Sequence, residues 1–267
     1  MNISVILPTY NPQDYLWDCL DSLCNQTLKH TEFEVLIILN GCREPFQTDI
    51  EKYLFSHKVA NFRLFQTNIP GVSNARNLGL DNCIGKYVTF IDDDDMVSPC
   101  YLEELLKHAS EDTIALSYSF AFNDYNPEVL LRYYTTDAYD YCVKVNHPLI
   151  LSSRIRSFFS VPVMKLIPRS YIGDRRFDVR FKNGEDALFM FLISDKFQKF
   201  CFTPREAIYY RRFRENSAVT AKRSFLSRAF DLFKFVSAIL SIYIKNWKAY
   251  NFVFLLTRIL AQFKSLF

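Results

Sequence analysis

The sequence predicts an α/β fold built on a mainly parallel sheet, and three observations carry that prediction. Apolar, β-branched runs alternate with segments of helical periodicity through the first half of the chain, the pattern of successive βαβ units. Polar clusters stand at the carboxyl ends of the predicted strands, where open α/β sheets bind ligands. The length, 267 residues, suffices to bury a sizeable core as one large domain or as a domain plus an appendage.

Strands are predicted over residues 3–7, 34–39, 62–65, 87–91 and 114–118. Between them Leu16, Leu20 and Leu23 recur at helical spacing, and residues 72–82 read as another helix. The polar clusters are Pro8-Thr9-Tyr10-Asn11, Asn40-Gly41-Cys42 and the four aspartates Asp92 to Asp95. Residues 123–160 are Tyr-rich and irregular and support no assignment beyond mixed structure. Phe181-Lys182-Asn183-Gly184 reads as a turn, residues 185–197 as a helix with Leu188, Phe191 and Leu192 on one side, and residues 207–210 as a last strand leading into a charged run over 211–215.

Charge divides the chain into a main part, residues 1–221, and a tail, residues 222–267. The formal net charge is +3, but eight Lys/Arg and one acidic residue fall in the tail, which leaves 24 basic against 28 acidic side chains before it. No basic patch or known module marks a nucleic-acid binder. Seven cysteines without a C-x-x-C pair exclude a complete disulfide framework, and reduced thiols are expected. The chain enters a strand-like run directly, without the pattern of a secretion signal, so the expectation is a cytoplasmic catalytic part.

The aspartate run follows the apolar stretch Tyr87-Val88-Thr89-Phe90-Ile91. If the strand stays extended, Asp92 and Asp94 project to one side and Asp93 and Asp95 to the other. Crowded carboxylates repel, and a hard divalent cation that also takes substrate phosphate relieves them. The competing reading is an acidic turn that caps a helix starting near Ser98-Pro99.

The segments SVILPTYNPQDYL, EVLIILNG, NIPGVSNARNLGLDNCIGKYVTFIDDDD, FKNGEDALFMF and YYRRFRENS, in this order and spacing, resemble the family 2 glycosyltransferases over residues 3 to about 217. The resemblance implies the GT-A fold, a Rossmann-like mixed sheet flanked by helices, and inverting transfer from a nucleotide-sugar. It implies a nucleotide cradle at Pro8, Thr9, Tyr10 and Asn11, and a base contact at Asn40, where the family often has aspartate. Arg76 would lie beside the nucleotide. Beside the resemblance, the guanidinium forks of Arg211, Arg212 and Arg214 suit phosphate oxygens and could screen the leaving diphosphate or an acceptor phosphate; the plain alternative is a solvated, charged strand end. Asp94 and Asp92 would hold Mn²⁺ or Mg²⁺, with Asp92 or Asp93 toward the ribose. Asp186 would be the general base that takes the proton of the acceptor hydroxyl, with Glu185 in support; the plain alternative for this pair is an acidic first turn answering a helix dipole. The expected donor is UDP-linked and the expected acceptor a growing cell-surface glycan, polyprenyl-linked.

Two other readings compete. A haloacid-dehalogenase-type phosphatase also carries Asp-x-Asp after an apolar strand, but places it on the first strand and follows it with Thr or Ser where this chain has Met96. A non-catalytic nucleotide-binding scaffold at a membrane would retain the donor residues without turnover. For the tail, charges interrupt every apolar stretch, leaving none of the about 20 residues a spanning helix needs. Ala229, Phe233, Val236, Leu240, Tyr243 and Trp247 form one helical face opposite Asp231, Lys234, Ser241, Lys245 and Lys248, and Phe252, Leu256, Ile259 and Phe263 form another. Amphipathic helices of this kind suit the inner surface of an anionic cytoplasmic membrane. Packing on the main part, or homodimerisation, is the alternative use.

Overall fold

A computed structural model describes residues 1–145, 155–214 and 225–264. In chain order the elements are β1 (Ile3–Thr9), α1 (Tyr15–Cys24), β2 (Phe33–Asn40), α2 (Phe46–His57), β3 (Phe62–Thr67), α3 (Val72–Asn82), β4 (Tyr87–Phe90), β5 (Met96–Val97), α4 (Tyr101–His108), β6 (Thr113–Leu116) and β7 (Tyr118–Asn123). After them come β8 (Asn126–Leu131), α5 (Tyr134–Val145), β9 (Lys165–Pro168), α6 (Arg169–Ile172), α7 (Glu185–Leu192), β10 (Lys199–Phe202), β11 (Ile208–Phe213), α8 (Phe225–Lys245) and α9 (Phe252–Lys264). A 3₁₀ segment, Ile155–Ser160, precedes β9. The 221/222 boundary lies outside the described residues.

Seven strands form a mixed sheet in the order β10-β6-β9-β4-β1-β2-β3. The β4-β1-β2-β3 half is parallel throughout, and β9 runs antiparallel to both β4 and β6. Every residue of β1, β2 and β4 is buried, as expected of strands covered on both faces, which is why they read as continuous apolar runs. Glu34 joins them at the amino end: it accepts from Ser4 Oγ at 2.6 Å, Ile84 N at 2.8 Å and Arg63 Nη1 at 2.9 Å. Helix α3 lies so close to β1 that a Cβ at Gly79 would stand 2.5 Å from Ile6 Cγ2.

The strand expected over 114–118 is two strands. β6 ends at Leu116 in the large sheet, and β7 begins at Tyr118 in a second sheet of order β5-β11-β7-β8. Across this break Ser117 N–H bonds to Met164 O and Tyr118 N–H to Ala207 O, so consecutive residues serve different partners. The helix expected over 185–197 closes at Leu192 and gives way to a 3₁₀ turn at Ser194–Lys196. Helix α2 has no counterpart in the sequence pattern: its only buried residue is Ile50, so it leaves little apolar periodicity to read.

The two tail helices share the main core. Phe235 and Ile239 of α8 and Phe254 and Leu255 of α9 are buried in it, and Phe191 stacks on Tyr250 with ring centroids 5.1 Å apart. Tyr250 Oη donates to Leu192 O at 2.9 Å. Arg258, 2% exposed, donates to Ser160 Oγ at 2.9 Å, to Arg156 O at 3.2 Å and to Phe159 O, closing the carboxyl end of the 3₁₀ segment. No helix among the described residues is long and apolar enough to cross a membrane. Because Arg258 is buried and donates to two backbone carbonyls and the Ser160 hydroxyl, Arg258→Ala should destabilise the protein by about 2 to 3 kcal/mol. Urea unfolding checks this; an unchanged midpoint would mean that α9 is not seated through this side chain.

Candidate active site

The carboxyl ends of β1, β2 and β4 open into a cleft of about 940 Å³. Pro8, Thr9 and Tyr10 line it from β1, Asn40 from β2, Arg76 from α3 and all four aspartates from the turn after β4. The far wall comes from β11 and its continuation, residues 211–214, and from Tyr133. Gly41, with φ of +101°, makes room for the Tyr10 ring: a Cβ there would meet Tyr10 Cε2 at 2.8 Å. Asn11 turns the chain away with φ of +45° and is outside the lining, as are Glu185 and Asp186.

The aspartate run is not extended. β4 ends at Phe90, and Asp95 N–H bonds back to Asp92 O at 3.1 Å, so the four residues form a turn and the expected alternation of sides does not hold. Each carboxylate has its own holder. Asp92 Oδ1 accepts from Arg76 Nη2 at 3.0 Å, Asp93 Oδ2 from Thr9 Oγ1 at 2.5 Å, and Asp94 Oδ2 pairs with Arg214 Nη2 at 2.6 Å. Asp95 is buried, accepting from Tyr209 Oη at 2.6 Å and from Arg212 N–H at 2.8 Å. The Tyr209 hydroxyl also receives Asp92 N–H at 3.2 Å, so one phenol fixes both ends of the turn. The capping alternative fails as well: β5 separates the turn from α4, whose cap position is Cys100.

Burial raises the carboxyl pKa values of Asp93, Asp94 and Asp95. It pushes Asp93 up to about 7 against the Thr9 hydrogen bond, and raises Asp95 well above the usual range, reinforced by Asp94 and Asp92. Asp94 is raised by burial and by Asp92, with Arg214 opposing.

Arg76 connects this turn to the second acidic site. Its side chain is 4% exposed and lies over the Phe177 ring, 5.4 Å from the centroid. While Nη2 holds Asp92, Nη1 donates to Asp186 Oδ1 at 2.6 Å. Burial works against its charge, but Asp186 and Asp92 more than offset that. Gly184, with φ of +80°, starts α7 and sets Glu185 and Asp186 in its first turn. Burial raises Asp186 with Arg76 opposing, and raises Glu185 to about 7 with Asp186 adding to the effect.

Two expected donor residues are occupied by the protein itself. Asn40 Nδ2 donates to Ile69 O at 2.8 Å and Gly71 O at 3.2 Å, and its Oδ1 accepts from Gly71 N–H at 2.9 Å. It therefore pins the 69–71 loop at the cleft edge and has no N–H left for a base. Arg211 Nη1 donates to Tyr133 Oη and its guanidinium lies 5.0 Å from that ring's centroid. Tyr133, Tyr15 and Tyr209 escaped the sequence reading; Tyr209 is the one with a signal, as an inward-facing residue next to the arginine run on β11.

An all-oxygen donor set suits Mg²⁺ or Mn²⁺. Among the described residues no group of three or more His, Cys, Asp or Glu side chains converges to hold a metal on its own. Asp92 and Asp94 each have one carboxylate oxygen committed to an arginine and the other without a partner among the described residues.

Residues 4–172 match the family described as Glycosyl transferase family 2. The chain is 32% identical over 204 residues to glycosyltransferase GlyA of Streptococcus pneumoniae serotype 4, covering 73% of this chain and 28% of GlyA. It is 30% identical over 224 residues to the minor teichoic acid biosynthesis protein GgaB of Bacillus subtilis, covering 81% of this chain and 23% of GgaB. The chain thus spans about a quarter of the length of these relatives. The structure of Staphylococcus aureus TarS 1-349 in complex with UDP-GlcNAc superposes with a TM-score of 0.70 at 23% identity, over 90% of this chain and 67% of that one. The likeness in fold and the position of the aspartate turn on the fourth strand, not the first, dispose of the phosphatase reading. The chain belongs to glycosyl transferase family 2 and has the GT-A fold.

Proposed function

We propose that this chain transfers one sugar, with inversion, from a UDP-linked donor to a hydroxyl of a growing cell-surface glycan. The observation that carries the reading is Arg76, whose two terminal nitrogens hold Asp92 of the donor turn and Asp186 of the acceptor side. Two acidic sites far apart in sequence become one site with a donor half and a base half. The teichoic-acid role in GgaB's name and the UDP-GlcNAc in the TarS complex favour the same donor and product class.

The acceptor oxygen attacks the anomeric carbon as the bond to the diphosphate oxygen breaks. Its proton passes to Asp186 Oδ2, the oxygen not held by Arg76. Glu185 stays beside Asp186 and, with its pKa near 7, keeps the pair from accumulating two full charges at neutral pH. Pro8, Thr9 and Tyr10 border the nucleotide, Thr9 by orienting Asp93, and Asn40 acts by holding the loop that edges it. A bound Mn²⁺ or Mg²⁺ at Asp94 and Asp92 would stabilise the leaving nucleoside diphosphate as a Lewis acid.

The tail supports a peripheral position on the inner face of the cytoplasmic membrane, where a polyprenyl-linked acceptor would be presented. α8 buries Phe235 and Ile239, so its outward stripe is a different face, with Phe230, Phe233, Leu240 and Ile244 exposed, and Trp247 is exposed in the turn that follows. Lys234, Lys245 and Lys248 interleave with them. α9 adds Phe252, Val253, Leu256, Leu260 and Phe263. Aromatic and aliphatic side chains that insert, set among cations that meet anionic headgroups, are the composition of an interfacial helix.

Asp186→Asn should lower transfer by about 10²-fold or more while UDP affinity stays within a few-fold. Equal turnover by the two proteins in a released-nucleotide assay would place the base elsewhere. The base acts ionised, so kcat should fall as pH drops through the pKa of the Asp186–Glu185 pair. Arg76 favours the ionised Asp186; Arg76→Gln should therefore move the acid limb to higher pH, and a limb that stays put would separate Arg76 from the base. With vesicles of phosphatidylglycerol and phosphatidylcholine the chain should sediment, with phosphatidylcholine alone it should not, and Phe233→Ser with Ile244→Ser should abolish sedimentation. Retention in the supernatant, or self-association lost in the same double variant, would assign the stripe to another copy of the chain.

A further inference from the structure

Asp94, the carboxylate placed to meet a cation, already has one. Arg214 Nη2 lies 2.6 Å from Asp94 Oδ2, and the guanidinium sits over the Tyr15 ring at 4.4 Å from its centroid. The two side chains are 34% and 17% exposed, so this pair is half-sheltered at the cleft wall and not a solvated surface contact. Arg214 Nε is buried and has no hydrogen-bond partner among the described residues. A guanidinium with one carboxylate partner and a buried unpaired N–H is poised for a second acceptor, and phosphate oxygens match its fork.

Its neighbour is not in that position. Arg212 spends Nη1 on Asp124 at 2.5 Å, Nη2 on Asp18 at 2.7 Å and Nε on Asp94 O at 2.9 Å. Arg212 is therefore a fixed strut of the acidic turn, whereas Arg214 has a single ion-pair tether.

We propose that Arg214 is the resident counter-ion of Asp94: it occupies the carboxylate in the donor-free protein, yields it to the divalent cation, and turns its free donors to the diphosphate. The inference rests on the reading of Asp94 as a cation ligand. A divalent ion and a guanidinium repel at contact distance, more strongly in a sheltered cleft than in water. The bare protein should thus hold the cation weakly. A diphosphate relieves the conflict, because its charge gives Arg214 a new partner as the cation takes the old one. Cation and nucleotide binding are then positively coupled, each strengthening the other by the same factor.

The test is Mn²⁺ binding to the nucleotide-free full chain, followed by calorimetry or by the electron paramagnetic resonance signal of free Mn²⁺. Arg214→Gln should bind Mn²⁺ about tenfold more tightly or better. Arg214→Lys, which keeps the charge, should remain as weak as the unsubstituted protein, and adding Asp94→Asn to Arg214→Gln should erase the gain. Arg214→Met, which keeps the stem over Tyr15, makes the same comparison if the glutamine variant does not fold. Unchanged or weaker Mn²⁺ affinity in the folded variants overturns the proposal. In a second arm, saturating UDP should tighten Mn²⁺ binding to the unsubstituted protein and do so less in Arg214→Gln; equal tightening also overturns it. If neither protein binds UDP, the donor assignment is what fails, and the nucleotide-free comparison still decides the role of Arg214.

Discussion

One buried guanidinium ties the molecule's chemistry together. Arg76 reaches Asp92, 16 positions on, and Asp186, 110 positions on, and does so nearly out of contact with water. Burying an arginine with two carboxylates brings little net stability, since desolvation consumes most of the Coulomb attraction. What it secures is distance: the aspartate turn and the first turn of α7 cannot drift apart without stranding a charge. The stacked pair Phe177 and Phe189, with centroids 3.8 Å apart, backs this arrangement with an apolar wall.

The acidic turn depends on the same economy of charge. Four adjacent carboxylates survive in a cleft because Thr9, Tyr209, the guanidinium groups of Arg76 and Arg214 and the backbone N–H of Arg212 each take a share. Two of those arginines and the tyrosine come from β11 and the residue after it, which belong to the small sheet. That sheet is in effect the clamp that lets the large sheet carry so dense an anion at its edge.

Much of the fold was legible because β1, β2 and β4 are covered on both faces and so had to be written as unbroken apolar runs. The family motifs then sat at their carboxyl ends, which located the cleft. The local geometry of the aspartates was not legible. Whether Asp92 to Asp95 extend or turn is decided by Tyr209, more than a hundred positions away. Asn40 reads as a base contact by position, yet its amide is spent on the 69–71 loop, a non-local bond no spacing announces. In the Tyr-rich middle, Tyr133 meets Arg211 and Phe213, which lie about eighty positions on, as well as its neighbours Tyr134 and Thr136, and the distant contacts leave no signal in local spacing. The spacing in the tail reads as amphipathic helices with one apolar face each, whereas α8 carries apolar side chains on two sides: Phe235 and Ile239 go inward, while Phe233 and Ile244 stay outside.

Gly184 gives the tail a further meaning. A side chain at this position would run into Phe235 of α8 at 3.2 Å and Gln262 of α9 at 3.3 Å, on a backbone that already favours glycine. The residue immediately before the acidic pair is thus roofed by the last two helices, with no slack between them. The tail is then not a cassette that evolution could trade among relatives independently of the catalytic part. A chimaera that imports α8 and α9 must bring the 184–192 segment with them, and a change of side chain at Phe235 or Gln262 is felt at the start of α7.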